Sequence, residues 1–162
     1  MNRNWVATAA SVILLVPAVF GADGSVRAAG TVCPDPAKPC AGFKPHELSF
    51  ETPSDEIARS EYRSESFYAI ILKTTKPCGV TEEERLKVQA LMPNKVFSTR
   101  FDCEESFEEM ITYTNVNPKF GFIAVYAGAT LSQAEQCLAM VKASGQFPGA
   151  NIRKTQAVLV YP

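Results

Sequence analysis

Phe122-Ile123-Ala124-Val125-Tyr126 is an apolar run with the composition of a buried strand, and residues 131–143 after it place Leu131, Ala134, Leu138 and Val141 along one side of a helix. Residues 151–161 then return as a second extended run. The same order stands earlier in the chain. Phe67-Tyr68-Ala69-Ile70-Ile71-Leu72 precedes a helical stretch over residues 81–91 and an extended run over residues 96–101. Two βαβ copies in tandem predict an α+β domain of the ferredoxin-like split βαβ type (βαββαβ). This is a four-stranded antiparallel sheet with two helices on one face, expected over residues 66–162. Such an architecture hosts many activities, so function must be argued from particular side chains.

Helix boundaries are legible. Thr81-Glu82-Glu83-Glu84 reads as a capping box, with the Thr81 hydroxyl accepting from the Glu84 amide and the Glu84 carboxylate reaching back. Pro93 stops that helix. The three acids favour the positive end of the helix dipole, which explains them without catalysis. Gly145 is placed to end the second helix.

Upstream of the domain, Arg3 precedes an uncharged apolar run over residues 5–20 that is broken by Pro17. This reads as a signal peptide over residues 1–21, with cleavage before Ala22 or, using Val26 and Ala28, before Ala29. The run is shorter than the roughly 20 residues of a spanning helix, so no stable membrane insertion is expected after cleavage. The protein is expected to be exported, to a periplasm or beyond. Lipidation is not expected, because Cys33 follows Val32 well downstream of the run. Residues 22–65 form a Pro/Gly-rich extension rather than a second core. Within it Leu48-Ser49-Phe50 is expected to pair as a short strand or anchor, while residues 55–66 lie along the surface with Ile57 and Tyr62 buried.

Export gives meaning to five cysteines, because thiols pair in an oxidising compartment. Cys33 and Cys40 bracket a loop held in turns by Pro34, Pro36 and Pro39, and a local disulfide there is worth roughly 2–3 kcal/mol in the loop-entropy model. Cys78 and Cys103 follow parallel strands and emerge at the same end of the expected sheet. Those strands sit about 10 Å apart with a third between them. Their pairing therefore requires the two loops to lean together. Cys137, on the apolar side of the second helix, is expected to be a buried free thiol. No CxxC pair is present and the single histidine, His46, joins no ligand-spaced cluster, so neither metal nor cofactor is expected.

Composition is that of an ordinary globular domain, 46% hydrophobic with a formal net charge of −1. Such a balance offers no general attraction to phosphate backbones or anionic membranes.

Residues 122–128, then Ser132-Gln133-Ala134, Leu138 and Lys142-Ala143-Ser144-Gly145, resemble the second half of the SPOR (sporulation-related repeat) family: a strand ending in Gly, a helix with a characteristic Ala, and a Gly before the last strand. Residues 67–101 are similar to the first half, with Lys73 standing where a glycine is expected. The resemblance spans about residues 67–154. It implies an envelope domain that binds peptidoglycan glycan strands across the sheet face away from the helices.

Strand alternation tests that implication. In the register the resemblance implies, Ile123, Val125, Ala127, Tyr68, Ile70 and Leu72 face the helices. Phe122, Ala124, Tyr126, Phe67, Ala69, Ile71 and Lys73 then face away. Phe122 and Tyr126 are suited to stacking on sugar rings, with Lys73 beside them. An apolar face of this size is otherwise covered. The candidates are residues 48–62, the C-terminal run over residues 157–161, or a second subunit. Asn151, Arg153 and Lys154, beyond the Pro148-Gly149 turn, are further candidate donors to an anionic or sugar ligand at the sheet edge.

Two rival classes are disfavoured. Lys119-Phe120-Gly121-Phe122-Ile123 partly echoes an RNA-recognition motif, but a glycine is missing after Lys119 and Tyr126 falls out of step, so no nucleic-acid partner is expected. Glu104, Glu105, Glu108 and Glu109 crowd one loop instead of facing each other across a cleft, and His46 lies outside the expected domain, so no enzyme is expected. The sequence expectation is an exported envelope module binding glycan strands. The alternative is a protein-interaction subunit or homodimer that uses the same apolar face.

Overall fold

The computed structural model describes residues 29–53, 61–99 and 110–160. The expected signal peptide, Ile57, Cys103 and the four glutamates at 104, 105, 108 and 109 lie outside the described residues. In chain order the elements are β1 (Glu61–Arg63), β2 (Phe67–Thr75), α1 (Glu82–Gln89), β3 (Val96–Ser98), β4 (Met110–Tyr113), β5 (Gly121–Gly128), α2 (Leu131–Ala143), β6 (Asn151–Thr155) and β7 (Ala157–Val160). The protein is α+β, with two helices and two antiparallel sheets. One sheet has the order β3-β5-β2-β6 and the other β1-β7-β4.

Each face of the four-stranded sheet finds a partner layer. Ile70, Leu72, Ile123, Val125 and Ala127 pack under the helices against Val80, Val88, Ala134, Cys137 and Val141. The opposite face carries Phe67, Ala69, Ile71, Phe97, Phe122 and Ala124, and it is sealed by Leu48, Phe50, Tyr113, Ala157 and Leu159. The cover is the chain itself, supplied by both segments the sequence nominated, joined by β4. The result is a sandwich of two sheets with helices on one outer side.

The last extended run is two strands, not one. It breaks at Gln156, because buried polar groups hold the chain there while it passes from one sheet to the other. The Gln156 N–H donates to Thr114 Oγ1 at 2.9 Å, Thr155 Oγ1 donates to the Thr114 carbonyl at 2.6 Å, and the Ala157 N–H donates to Ser64 Oγ at 2.9 Å. Residues 61–63, expected along the surface, form a strand in register with β7, with Tyr62 opposite Leu159. The extension therefore belongs to the core. Leu48 and Phe50 are fully buried, and Gly30 pairs beside Ser64 where a Cβ would meet the Glu51 carbonyl at 1.9 Å.

Local signals are met with two exchanges. Thr81 caps α1 by accepting from the Glu84 N–H at 3.2 Å, but the Glu84 carboxylate turns to Lys73. The reciprocal capping box stands instead at α2, between Thr130 and Gln133. It follows Gly128, whose φ of 112° is the left-handed conformation glycine accepts at least cost. Gly145, at φ 69°, ends α2 as expected. Leu131, the first residue of α2, departs from the apolar stripe and is 48% exposed.

Candidate functional site

The six candidate ligand residues do not converge. Phe122 is 4% exposed, edge-on to Phe97 and Tyr113 at ring-centroid distances of 6.1 and 5.5 Å, so it has no face to offer a sugar. Tyr126 stays half-buried at the rim against Phe67, and burial together with the nearby Glu65 carboxylate raises its pKa. Lys73 is on the helix side. An irregularity between Ile71 and Lys73 shifts the alternation, places Lys73 opposite Ile123, and lets its ammonium pair with Glu84 of α1. Asn151 donates back to the Gly149 carbonyl at 3.2 Å, and its Oδ1 is buried without a hydrogen bond. Arg153 and Lys154 are exposed cations with no carboxylate partner among the described residues, on opposite faces of edge strand β6.

The sheet edges differ sharply, and the difference is made by side chains. At the β3 edge the Val96 N–H donates to Gln89 Oε1 at 2.7 Å, and the Val96 carbonyl accepts from Arg85 Nη1 at 3.0 Å. The Ser98 N–H donates to the His46 carbonyl at 2.9 Å. Arg85 is 4% exposed and also holds both Glu82 oxygens, at 2.7 and 2.6 Å. That contact keeps the Glu82 carboxyl below its ordinary pKa. Lys95 anchors the extension by donating to the Pro45 carbonyl at 2.6 Å, and desolvation, with Arg85 nearby, lowers its pKa. His46, expected outside the domain, is 5% exposed here because the extension packs along this edge. The sequence held one sign of the arrangement, since Arg85 and Gln89 flank Val88 on the inner side of α1.

At the other end of the sheet β6 pairs with β2 on its inner side and has no strand on its outer side among the described residues. Its geometry follows from alternation. The Tyr126 N–H donates to the Lys95 carbonyl, so Tyr126 is bonded toward β3 and its neighbour Val125 toward β2. Val125 faces Ile70, which leaves Ala69 bonded toward β6 and opposite Arg153. Arg153 thus bonds inward, while Ile152 and Lys154 turn their peptide groups outward.

The helix layer carries a separate concavity of about 180 Å³ between α2 and the α1–β3 connection. Val125, Cys137 and Val141 contribute to its lining, with Leu91 and Met140, 52% and 61% exposed, at its mouth. Cys137 is the free, buried thiol expected, and desolvation raises its pKa. The Cys33–Cys40 disulfide is present with a Cα–Cα distance of 5.9 Å. Cys78 is also disulfide-bonded, and its expected partner Cys103 lies outside the described residues. Among the described residues no group of three or more His, Cys, Asp or Glu side chains is placed to hold a metal ion, and no helix is long and apolar enough to cross a membrane.

Comparison with known proteins gives no match to a family model, to a curated protein or to a solved structure.

Proposed function

We propose that this chain is an exported, non-enzymatic module of the cell envelope that binds a protein partner through its surface, and not glycan strands through a sheet face. One observation carries the reading: Phe67, Ala69, Ile71, Phe97, Phe122 and Ala124 are packed beneath Leu48, Phe50, Ala157 and Leu159. Stacking on sugars needs an accessible ring face, and self-association through this apolar surface needs the surface to be bare. The chain has used it for its own core.

Several features support the remaining parts. The strand order β3-β5-β2-β6, with both helices packed on one face, favours reading the four-stranded half as a ferredoxin-like, SPOR-like unit to which the second sheet is added. Disulfide-bonded Cys33, Cys40 and Cys78 favour an oxidising compartment. The non-enzymatic part rests on His46, which is buried along the β3 edge and offers no base to a substrate.

The test is co-sedimentation of the oxidised protein with peptidoglycan sacculi, intact and amidase-treated, alongside light scattering. The expected outcome is no pelleting with either preparation and a monomer in solution. Pelleting that rises on denuded glycan and falls in Tyr126→Ala would overturn the reading in favour of glycan binding at the sheet rim. A stable homodimer would favour self-association instead.

A further inference from the structure

We infer that the outer edge of β6 is a strand-addition site for an extended acidic segment of a partner protein. The inference rests on the protein-binding reading above and names its surface and its partner chemistry.

Sheet edges attract strands because they carry unpaired peptide groups, and folded proteins close the ones they do not use. Here β3 is closed by Gln89, Arg85 and the His46 carbonyl. β1 is closed by Gly30, whose N–H donates to the Arg63 carbonyl at 2.9 Å and whose carbonyl accepts from the Glu65 N–H at 2.7 Å. β6 is treated differently. Its outward carbonyls are occupied, that of Ile152 by Arg153 Nη1 at 3.2 Å and that of Lys154 by Asn115 Nδ2 at 3.1 Å. The outward N–H groups of Ile152 and Lys154 have no partner among the described residues.

What remains on this edge is all of one sign. Two bare donors, about 7 Å apart along the strand, match the carbonyls of alternate residues in an extended chain. The exposed side chains beside them are Arg153 and Lys154, on opposite faces, with the Lys154 ammonium 5.8 Å from the Tyr68 ring centre. A partner that adds here supplies carbonyls to the backbone and carboxylates to both faces. A second copy of β6 is a poor occupant, because antiparallel self-pairing sets cation against cation.

The test uses fluorescein-labelled acetyl-(Glu-Val)4-amide and its Lys-Val counterpart, titrated with the oxidised protein and followed by anisotropy at low and high salt. The acidic peptide is expected to bind, salt-sensitively, and the basic one not. Arg153→Glu/Lys154→Glu should weaken the acidic peptide by about tenfold or more, from two reversed pairs at up to about 1 kcal/mol each. Ile152→Pro, which deletes an outward N–H and leaves the β2 ladder intact, should weaken it as well. In wild type, amide resonances of Ile152 and Lys154 should shift on titration, a readout that needs no variant to fold. Equal binding of both peptides, or no binding with unmoved resonances, overturns the inference. So does self-association of Arg153→Ser/Lys154→Ser without peptide binding by wild type, which makes the cations guards against aggregation only. These outcomes are independent of the sacculus assay, so the edge can fail while the protein-binding reading stands.

Discussion

Tyr113 shows how one side chain couples the two sheets. Its ring packs in the sandwich core against Phe97 and edge-on to Phe122, and its hydroxyl accepts the Leu48 N–H at 3.2 Å, tying the extension to β4. Burial pushes the phenol pKa strongly up. In the unfolded chain it ionises near pH 10 while the folded chain keeps the proton, so its contribution to stability falls as pH rises above about 10. Tyr113→Phe leaves a buried N–H unpaired and should cost about 1–3 kcal/mol in urea unfolding at pH 7. It should also remove this part of the alkaline loss. An unchanged midpoint at pH 7 and an unchanged alkaline limb would show that the hydroxyl holds nothing.

At the scale of elements, α1 does two jobs with one face: Val88 fills the core, while Arg85 and Gln89 close the β3 edge. Arg85→Met keeps most of the buried volume but leaves the Val96 carbonyl without its donor and frees Glu82. The expected cost is about 1.5–3 kcal/mol, the range for a hydrogen bond to a charged group. The sign of its pH dependence follows from Glu82, whose folded pKa lies below the ordinary 4.5 because Arg85 donates to it. That stabilisation is present above the ordinary value and is lost as pH falls through the lowered one, so Arg85→Met should flatten the acid limb of the stability profile. Equal acid limbs in variant and wild type would refute the assignment. The helices themselves were plain in the sequence, because Thr81 capping, the Ala134–Cys137–Val141 stripe and Gly145 are local signals. The role of Lys73 was not, since the bulge that turns it toward α1 depends on pairing with β5, which no local pattern encodes.

For the molecule as a whole, the extension is structural. Val32, Leu48 and Phe50 together remove apolar surface worth about 1.5–3 kcal/mol each, a sum comparable to the roughly 5–15 kcal/mol stability of a typical domain. A chain starting at residue 54 should therefore expose Phe67, Phe97 and Phe122, bind the dye ANS and lose cooperative unfolding. A truncated chain that unfolds at the full-length urea midpoint would instead make the extension a removable lid.

Periodicity and capping are properties of neighbouring residues, and from them the sequence alone determined the two strand–helix–strand copies, the α2 boundaries, the Cys33–Cys40 loop and the burial of Cys137. It also showed the face carrying Phe122 to be apolar, and left open whether that face binds a ligand or is covered. Which chain covered that face was decided only by the tertiary structure, because the cover is assembled from residues 29–53, 61–63, 110–113 and 157–160, whose joining depends on long-range pairing. The same long-range packing turned Phe122 from a candidate ligand residue into core and brought His46 into the fold. It closed one edge of the four-stranded sheet with Arg85 and Gln89, and left Arg153 and Lys154 on the other.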